Sequence, residues 1–223
     1  MDIVIPTLHR PEKLHNCIES IKVAKQYLPD EVLKVSVYYS DMKEFSSAEY
    51  SYSTNFHIIP VYIAQYDAAS FWNMHLCMNE ADMMMYLNDD VILDKYCIRN
   101  AYNCMLKHFP DTDGVIGIYQ ENIPEDQAVK AAFGVIGMKF ANRFPQRKVF
   151  CEAYHRFYLD KELEEYATSI DKFYFDRESK LIHLHPAFDS TQDDLTHHNV
   201  RQYLRKDKET YFERKEKGLL YGQ

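Results

Sequence analysis

Short β-branched runs alternate with an amphipathic helical pattern at the start of this chain of 223 residues. Residues 2–5 and 32–39 are apolar and β-branched, which predicts two strands, and Pro6 is expected to end the first strand. The stretch between them predicts a helix from about Pro11, because its apolar residues recur every three or four positions. These residues are Leu14, Cys17, Ile18, Ile21, Ala24 and Leu28. A β-α-β opening restricts the chain to an α/β architecture.

The same alternation continues to about residue 120. Strands are predicted over 57–63, 83–87 and 114–119, and helices over 68–80 and 94–108. Strands that alternate with helices predict an α/β fold with an open, mostly parallel sheet flanked by helices. The ligand crevice of such a sheet lies outside the carboxyl ends of its strands.

The pattern changes in the second half of the chain. Residues 160–168 predict a short helix, 173–176 and 180–185 predict the two arms of a hairpin, and 199–217 predict a charged C-terminal helix with a solvated face. The sequence contains no internal repeat and no low-complexity linker. We therefore interpret residues 1–223 as one domain.

Composition excludes several classes of protein. The net charge of −8 argues against a non-specific polyanion binder, and the six glycines form no GxGxxG or GxxxxGK[ST] phosphate cradle. The five cysteines are scattered and never spaced as CxxC, which predicts buried thiols rather than disulfides or a zinc site. Neither a secretory signal nor a transmembrane segment is recognisable, so we expect a cytoplasmic protein.

The most informative motif is Asn88-Asp89-Asp90, directly after the apolar run 83–87. Two adjacent carboxylates at the end of a buried strand repel each other unless a cation or a proton relieves them. Mg²⁺ or Mn²⁺ would do so, since these ions bind one or two protein carboxylates and complete their coordination with water and phosphate oxygens. The alternative is a pair of residues that caps a following helix.

Two parts of the chain resemble family 2 glycosyltransferases. Residues 2–7 form a strand that ends in Pro-Thr, a polar turn with Arg10 follows, and the next helix carries Glu19-Ser20-Ile21. Asn88-Asp89-Asp90 resembles the DxD-type motif of that family. The resemblance implies a GT-A type fold, with a nucleotide-sugar-binding half over 1–120 and an acceptor half over 121–223.

The resemblance also implies which residues bind a nucleotide-diphosphate sugar. They are Pro6, Thr7, Arg10, Asp41, Trp72, Asn73, Asn88 and Asp89. Thr7 matches a residue beside the nucleobase, Asp41 an acid that binds the base or ribose, Asp89 a position at the ribose or sugar, and Asp90 the metal ligand. Trp72 stands where the family usually has arginine. From residue type alone, Thr7 is a strand-end cap, Asp41 a turn residue, and Trp72 either a stacking platform or a core residue.

A second acidic site begins the helix predicted over 160–168. Asp160 resembles the general base of inverting family members, although Leu159 replaces the glutamate that usually precedes it. Such a base must lie near the acceptor hydroxyl, on the face opposite the departing diphosphate. Glu162 is the alternative base, and a helix N-cap is the alternative role for Asp160.

Further along the chain, His183 and His185 alternate along a predicted strand and therefore share a face. His183 resembles the late histidine of the family, which binds the metal or the diphosphate; an exposed polar surface is the alternative. Arg143, Arg147 and Lys148 form a small basic cluster that either neutralises an acidic acceptor or lies in a solvated loop.

The resulting hypothesis is a metal-dependent glycosyltransferase, with Mn²⁺ or Mg²⁺, that transfers one sugar from a UDP-sugar with inversion. The acceptor is a saccharide, a glycolipid precursor or a hydroxylated nucleobase in DNA, for which the basic cluster and the C-terminal helix would form the groove. The alternatives are a sugar-nucleotidyltransferase and a non-catalytic nucleotide-sugar-binding protein. The turn after the first strand lacks the glycine-rich loop that a nucleotidyltransferase carries.

Overall fold

Strands and helices alternate through the first half of the chain, as the sequence predicts. The computed structural model describes residues 1–28, 30–48, 51–64, 68–185 and 201–219. Within these ranges the strands are β1 (Asp2–Thr7), β2 (Leu33–Tyr39), β3 (Ser51–Tyr52), β4 (Phe56–Tyr62), β5 (Met83–Tyr86), β6 (Val91–Leu93), β7 (Val115–Gln120), β8 (Gly134–Gly137) and β9 (Phe173–His183). The helices are α1 (Pro11–Lys25), α2 (Met42–Ser46), α3 (Ala68–Met78), α4 (Cys97–His108), α5 (Met138–Ala141), α6 (Leu159–Ser169) and α7 (Leu204–Glu216).

The described strands form one open sheet in the order β3-β4-β2-β1-β5-β8-β7-β9-β6. Strands β4, β2, β1, β5, β7 and β9 run in one direction, while β3, β8 and β6 run in the other. The prediction of a mostly parallel sheet is therefore confirmed. The motif strand β5 differs in one respect from a purely parallel strand, because it pairs parallel with β1 and antiparallel with β8.

Helices cover both faces of the sheet, which explains why β1 is apolar along most of its length. Ile3 and Ile5 pack in one core with α1 and α4, and Val4 packs in the opposite core with α3 and α6. All three side chains are fully buried. A strand that is buried on both faces reads as a continuous apolar run rather than an alternating one.

The expectation that Pro6 ends β1 is wrong, because the strand continues to Thr7 with Pro6 opposite Tyr38 of β2. Val4 accepts a hydrogen bond from Leu87 on the β5 side, so the backbone of Pro6, two residues on, faces the same side. Pairing with β5 stops at Val4. The N–H that proline lacks is therefore not needed by the ladder.

The predicted late hairpin is also wrong, because its two arms belong to the single strand β9. The first arm pairs parallel with β7, and the strand resumes the same pairing after a bulge that separates Asp176 from Lys180. The Asp176 carboxylate stabilises this bulge by accepting hydrogen bonds from the Glu178 backbone at 3.1 Å and the Ser179 hydroxyl. Because the chain does not reverse, His183 emerges at the carboxyl edge of the sheet.

The predicted C-terminal helix corresponds to α7, although residues 199 and 200 of that prediction lie outside the described residues. All five cysteines carry free thiols, but the prediction that they are buried holds only for Cys17, Cys97 and Cys104, since Cys77 is exposed and Cys151 is partly buried. Among the described helices, none is both long and apolar enough to span a membrane.

Candidate active site

Four strand ends place polar side chains at one edge of the sheet. Thr7 ends β1, Asp89 and Asp90 follow β5, Gln120 ends β7, and His183 ends β9. These four strands run in the same direction, so their carboxyl ends meet at the same edge. This is where an open α/β sheet binds its ligand.

The two motif carboxylates share one buried arginine. Nη1 of Arg10 donates to Oδ1 of Asp89 and to Oδ2 of Asp90, both at 3.0 Å. Oγ1 of Thr7 donates to Oδ2 of Asp89 at 2.8 Å. All four residues are less than 5% exposed. Arg10 therefore compensates part of the negative charge, which is a role that the sequence analysis did not assign to it.

Burial of Asp89 raises the pKa of its carboxyl group, and the adjacent Asp90 raises it further. The Arg10 charge and the Thr7 hydrogen bond oppose this rise by stabilising the ionised form. Keeping the Asp89 and Asp90 carboxylates ionised while they are buried therefore costs free energy. An additional positive charge at this edge would lower that cost.

His183 faces Asp90 with a defined ring nitrogen. Its Nε2 lies 3.5 Å from Oδ1 of Asp90, and its Nδ1 lies 3.1 Å from Oε1 of Gln120. Nε2 of Gln120 donates to the Val129 carbonyl at 3.4 Å, which turns the amide oxygen toward the imidazole. Nδ1 of His183 therefore carries the proton. Its Nε2 faces the Asp90 carboxylate, an arrangement that a proton or a metal ion between the two groups stabilises.

The backbone of His183 is fixed as well. Its N–H donates to Oδ1 of Asn122 at 3.0 Å, and its carbonyl accepts from Nδ2 of Asn122 at 2.8 Å. Leu184 donates to the Asp90 carbonyl at 2.8 Å, which holds the strand end against the acidic motif.

A cavity of about 440 Å³ opens over this edge. Asp90, His183 and Asp160 line it, together with Asn88, whose Oδ1 is buried and has no hydrogen-bond partner among the described residues. Much of the remaining wall is apolar and includes Phe133, Phe157 and Leu159. The cavity thus combines a hydrophobic wall with a small number of converging polar groups, as ligand sites commonly do.

Asp160 lies in the first turn of α6 and is partly exposed toward the cavity. Its Oδ1 accepts from the Lys161 backbone N–H at 2.9 Å, but the helix N-cap is Tyr158. The loss of hydration around its carboxyl group raises the pKa of Asp160, and the nearby charge of Glu164 adds to this rise. A carboxylate with a raised pKa that faces a cavity has the properties of a general base.

Comparison with known proteins identifies the architecture. No protein-family model and no curated protein matches the sequence. The structure of S. aureus TarS 1-349 in complex with UDP-GlcNAc matches with a TM-score of 0.60 at 12% identity, covering 81% of this chain and 56% of that chain. Mannosyltransferase PcManGT from Pyrobaculum calidifontis, in complex with GDP-Man and Mn²⁺, matches with a TM-score of 0.58 at 10% identity, covering 82% and 56%.

A third structure agrees with these two. Glucosyl-3-phosphoglycerate synthase from Mycobacterium tuberculosis, in complex with Mn²⁺, UDP and phosphoglyceric acid, matches with a TM-score of 0.58 at 12% identity, covering 89% of this chain and 73% of that chain. The chain has a GT-A fold. It spans little more than half the length of the TarS and PcManGT chains.

The sheet of the GT-A fold brings Thr7, Asn88, Asp89, Asp90 and His183 together, but other predicted residues lie elsewhere. Asp41 caps α2, where its Oδ1 accepts from the backbone N–H groups of Lys43 at 2.8 Å and Glu44 at 3.0 Å. It is not among the described residues that line the cavity. The structure therefore supports the turn role of Asp41.

Asn73 and Trp72 sit side by side on α3 and have different environments. Asn73 exchanges two hydrogen bonds with the Phe150 backbone, at 2.7 and 2.8 Å, and lines a second cavity of about 350 Å³. Asn73 is therefore not among the described residues that line the main cavity. Trp72 does line the main cavity. Its ring packs against Tyr86 and Phe150, with centroids 5.5 and 4.8 Å away, and is 4% exposed, so it serves as core rather than as a stacking platform.

Glu162, the alternative base, is fully buried and is not among the described cavity residues. Its carboxylate accepts two hydrogen bonds from Arg214, at 2.8 and 3.1 Å, and one from the Tyr154 hydroxyl. This carboxylate joins α6 to α7 and does not face the cavity.

All three residues of the basic cluster, Arg143, Arg147 and Lys148, form contacts within the protein. Arg143 pairs with Asp113, Arg147 donates to the carbonyls of Leu76 and Asn79, and Lys148 pairs with Glu152. These contacts argue against a nucleic-acid groove built from the three cations.

Sequence reasoning missed several cavity residues. Gln120 could have been identified from the sequence, because it is a polar residue directly after the strand predicted over 114–119. Arg156 and Arg201 also line the cavity, but no motif marks either of them.

Proposed function

We propose that the chain is a glycosyltransferase of the family 2 type that moves a sugar from a nucleotide-diphosphate sugar to an acceptor hydroxyl. The observation that carries this proposal is the pairing of Asp90 with His183 at the wall of a cavity that Asp160 also lines. These three residues combine a site for a cationic group with a base, at the ligand-binding edge of a GT-A sheet. A protein that only binds a metal ion would not need the base, and a protein that only uses a base would not need the cation site.

The donor set at this edge fits a divalent cation that shares its coordination with substrate. Among the described residues, no group of three or more His, Cys, Asp and Glu side chains could hold a metal ion by itself. Asp90 and His183 supply two ligands, and Mn²⁺ or Mg²⁺ commonly takes its other ligands from water and phosphate oxygens. Such an ion would compensate the negative charge that develops on the departing nucleoside diphosphate.

Asp160 is the general base in this proposal. The acceptor oxygen forms a bond to the anomeric carbon, the bond from that carbon to the diphosphate oxygen breaks, and the hydroxyl proton moves to the Asp160 carboxylate. A base on the side opposite the leaving group gives inversion at the anomeric carbon. The raised pKa of Asp160 makes it a stronger proton acceptor than an exposed aspartate.

Thr7, Asn88 and Asp89 are the donor-binding residues in this proposal. Two of them, Thr7 and Asp89, are joined by a hydrogen bond, and Asn88 lines the cavity. We infer a uridine nucleotide as the donor, because two of the matching structures hold UDP or UDP-GlcNAc, while PcManGT holds GDP-Man.

A thermal-shift panel with UDP, GDP and ADP, each with and without Mn²⁺, tests donor binding. A ligand that binds only the folded protein raises its melting temperature, so UDP with Mn²⁺ should stabilise the wild type more than either alone. Asp90→Asn should abolish this joint effect. Asp111→Asn is the matched control, because Asp111 is an exposed acid paired with Lys139.

Release of UDP from UDP-glucose, followed by chromatography, tests catalysis. Turnover that requires Mn²⁺ and Asp160 supports the proposal. The absence of any shift with all three nucleotides would overturn it, and a shift without turnover would favour the non-catalytic binding protein. Formation of pyrophosphate from UTP and a sugar 1-phosphate would favour the nucleotidyltransferase.

A further inference from the structure

One buried carboxylate of α7 holds three consecutive backbone N–H groups that lie about fifty residues earlier in the chain. Oδ1 of Asp207 accepts from the His155 N–H at 3.0 Å, and its Oδ2 accepts from the N–H groups of Arg156 at 2.9 Å and Phe157 at 2.8 Å. Nδ1 of His155 lies 3.3 Å from Oδ1. Asp207 is fully buried, and a buried carboxylate is stable only where such donors replace its water.

The segment that Asp207 holds leads directly into the proposed base. Arg156 and Phe157 line the cavity. Tyr158 follows with φ of 71°, a left-handed conformation that is strained for a residue other than glycine. Helix α6 then begins without a side-chain cap among the described residues, and Asp160 lies in its first turn. The position of Asp160 therefore depends on a backbone segment that needs external support.

Helix α7 is attached to α6 by contacts that do not involve Asp207. Arg214 forms two hydrogen bonds with Glu162, and Glu165 accepts from the Tyr211 hydroxyl and from Nζ of Lys215 at 2.9 Å. Positions 207, 211 and 214 lie on one face of a helix, and this is the face turned toward α6. Most of α7 is exposed, in agreement with the predicted solvated face, whereas Asp207 and Tyr211 on this face are buried. Because these other contacts hold α7 against α6, Asp207 is not needed for that attachment and can instead hold the backbone of residues 155–157.

We propose that Asp207 is a positioning residue of the active site. By holding the backbone of residues 155–157, it fixes the Arg156 and Phe157 wall of the cavity and sets the place of the Asp160 carboxylate. This inference rests on the proposed function, and it makes the C-terminal helix part of the catalytic machinery rather than a peripheral element.

Asp207→Asn tests the inference with little change in shape. The amide keeps one acceptor oxygen, but its NH₂ group faces backbone N–H donors, so the 155–157 segment loses part of its support. With UDP-glucose and Mn²⁺ as the probe, we expect kcat for UDP release to fall about tenfold or more, since small misplacements of a reacting group are costly. The KM for UDP-glucose should change less than about twofold, because Thr7, Asp89 and Asp90 lie on other elements.

Glu165→Gln is the matched control. It removes a carboxylate that also joins α6 to α7 but that does not contact residues 155–157. We expect it to lower the melting temperature and to leave kcat unchanged. Asp207→Glu, which keeps the charge one methylene further out, should recover part of the lost kcat. Hydrogen exchange of the 155–157 amides should accelerate in Asp207→Asn and stay unchanged in Glu165→Gln, whether or not turnover is detected.

The outcomes separate this inference from the proposed function. A wild type that releases no nucleoside diphosphate from UDP-glucose, UDP-GlcNAc or GDP-mannose overturns the proposed function and the catalytic part of this inference together. An active wild type whose Asp207→Asn variant keeps its kcat, or loses no more than Glu165→Gln does, overturns only the positioning role. If Asp207→Asn fails to fold, Asp207→Glu is measured instead, and accelerated hydrogen exchange of the 155–157 amides together with a wild-type kcat in that variant overturns the positioning role.

Discussion

Nε2 of His183 lies 3.5 Å from Oδ1 of Asp90, although the two residues are more than ninety positions apart in the chain. Oε1 of Gln120 accepts a hydrogen bond from Nδ1 of His183, and Nε2 is then the ring nitrogen that faces the carboxylate. A ring nitrogen and a carboxylate oxygen with this spacing can ligate the same cation. The orientation of His183 is therefore as important to the site as the histidine itself.

Gln120→Leu should weaken Mn²⁺ binding in the presence of UDP by about tenfold to a hundredfold, because the His183 ring loses the partner that fixes its tautomer. Titration followed by electron paramagnetic resonance of free Mn²⁺ measures this affinity. Gln127→Leu is the control, since Gln127 lines the same cavity and forms no contact with His183 among the described residues. Equal losses in both variants would contradict the orienting role.

Arg10→Met should destabilise the protein by about 3–5 kcal/mol, because it leaves two adjacent buried carboxylates without their positive partner. The pKa of Asp89 is already raised and should rise further. An acid whose pKa is higher in the folded state makes folding less favourable as the pH increases through that range. Urea unfolding at pH 5 and pH 8 should therefore show a larger loss at pH 8.

Lys22→Gln is the control for this measurement, because the exposed Lys22–Glu19 pair contributes little to stability. Added Mn²⁺ should recover part of the stability of Arg10→Met, since it supplies positive charge at the same edge. A variant that is as stable as the wild type at both pH values would show that Arg10 does not compensate the pair.

The location of the candidate site was predictable, because parallel strands place their carboxyl ends at the same edge of the sheet. Asp89, Asp90 and His183 each follow or end an apolar run, and a run that ends at a polar residue indicates the carboxyl end of a strand. Once the strands are parallel, their ends share one edge, and the side chains converge without any further information. The family resemblance of residues 2–7 added the expected chemistry to this geometry.

The partners of Asn73 and Glu162 could not be located from the sequence, for a different reason. Asn73 binds the backbone of Phe150, and Glu162 binds Arg214, so both act through partners more than fifty positions away. Asparagine and glutamate have the same local signature whether they bind a ligand or a distant backbone. Asp207 is the clearest case, because three of its contacts are to backbone N–H groups, which carry no residue-specific signal.

Arg143→Gln should lower the stability of the protein at neutral pH, by an amount that shrinks as the pH falls toward 2. The hydrogen bond from Arg143 lowers the pKa of Asp113 to about 2, and Lys172 contributes a second contact at 3.0 Å. A lowered pKa adds stability above the unfolded value of about 3.9, and this is lost as the pH falls toward 2. Because Arg143 is partly exposed, we expect a loss of about 1 kcal/mol at neutral pH. Lys139→Gln, which breaks an exposed pair with Asp111, should leave the acid midpoint of unfolding unchanged.

Asp160→Asn should lower kcat for UDP release by about a hundredfold to ten-thousandfold, with UDP and Mn²⁺ binding retained, because it removes the base and leaves the donor edge intact. In the wild type, the rate should rise with pH through the pKa of Asp160. Burial raises that pKa, so the acidic limb should lie above the ordinary aspartate range. Glu164→Gln removes a charge that contributes to this rise, and its acidic limb should move to lower pH. Wild-type kcat in Asp160→Asn, together with loss of kcat in Glu162→Gln, would transfer the role of base to Glu162.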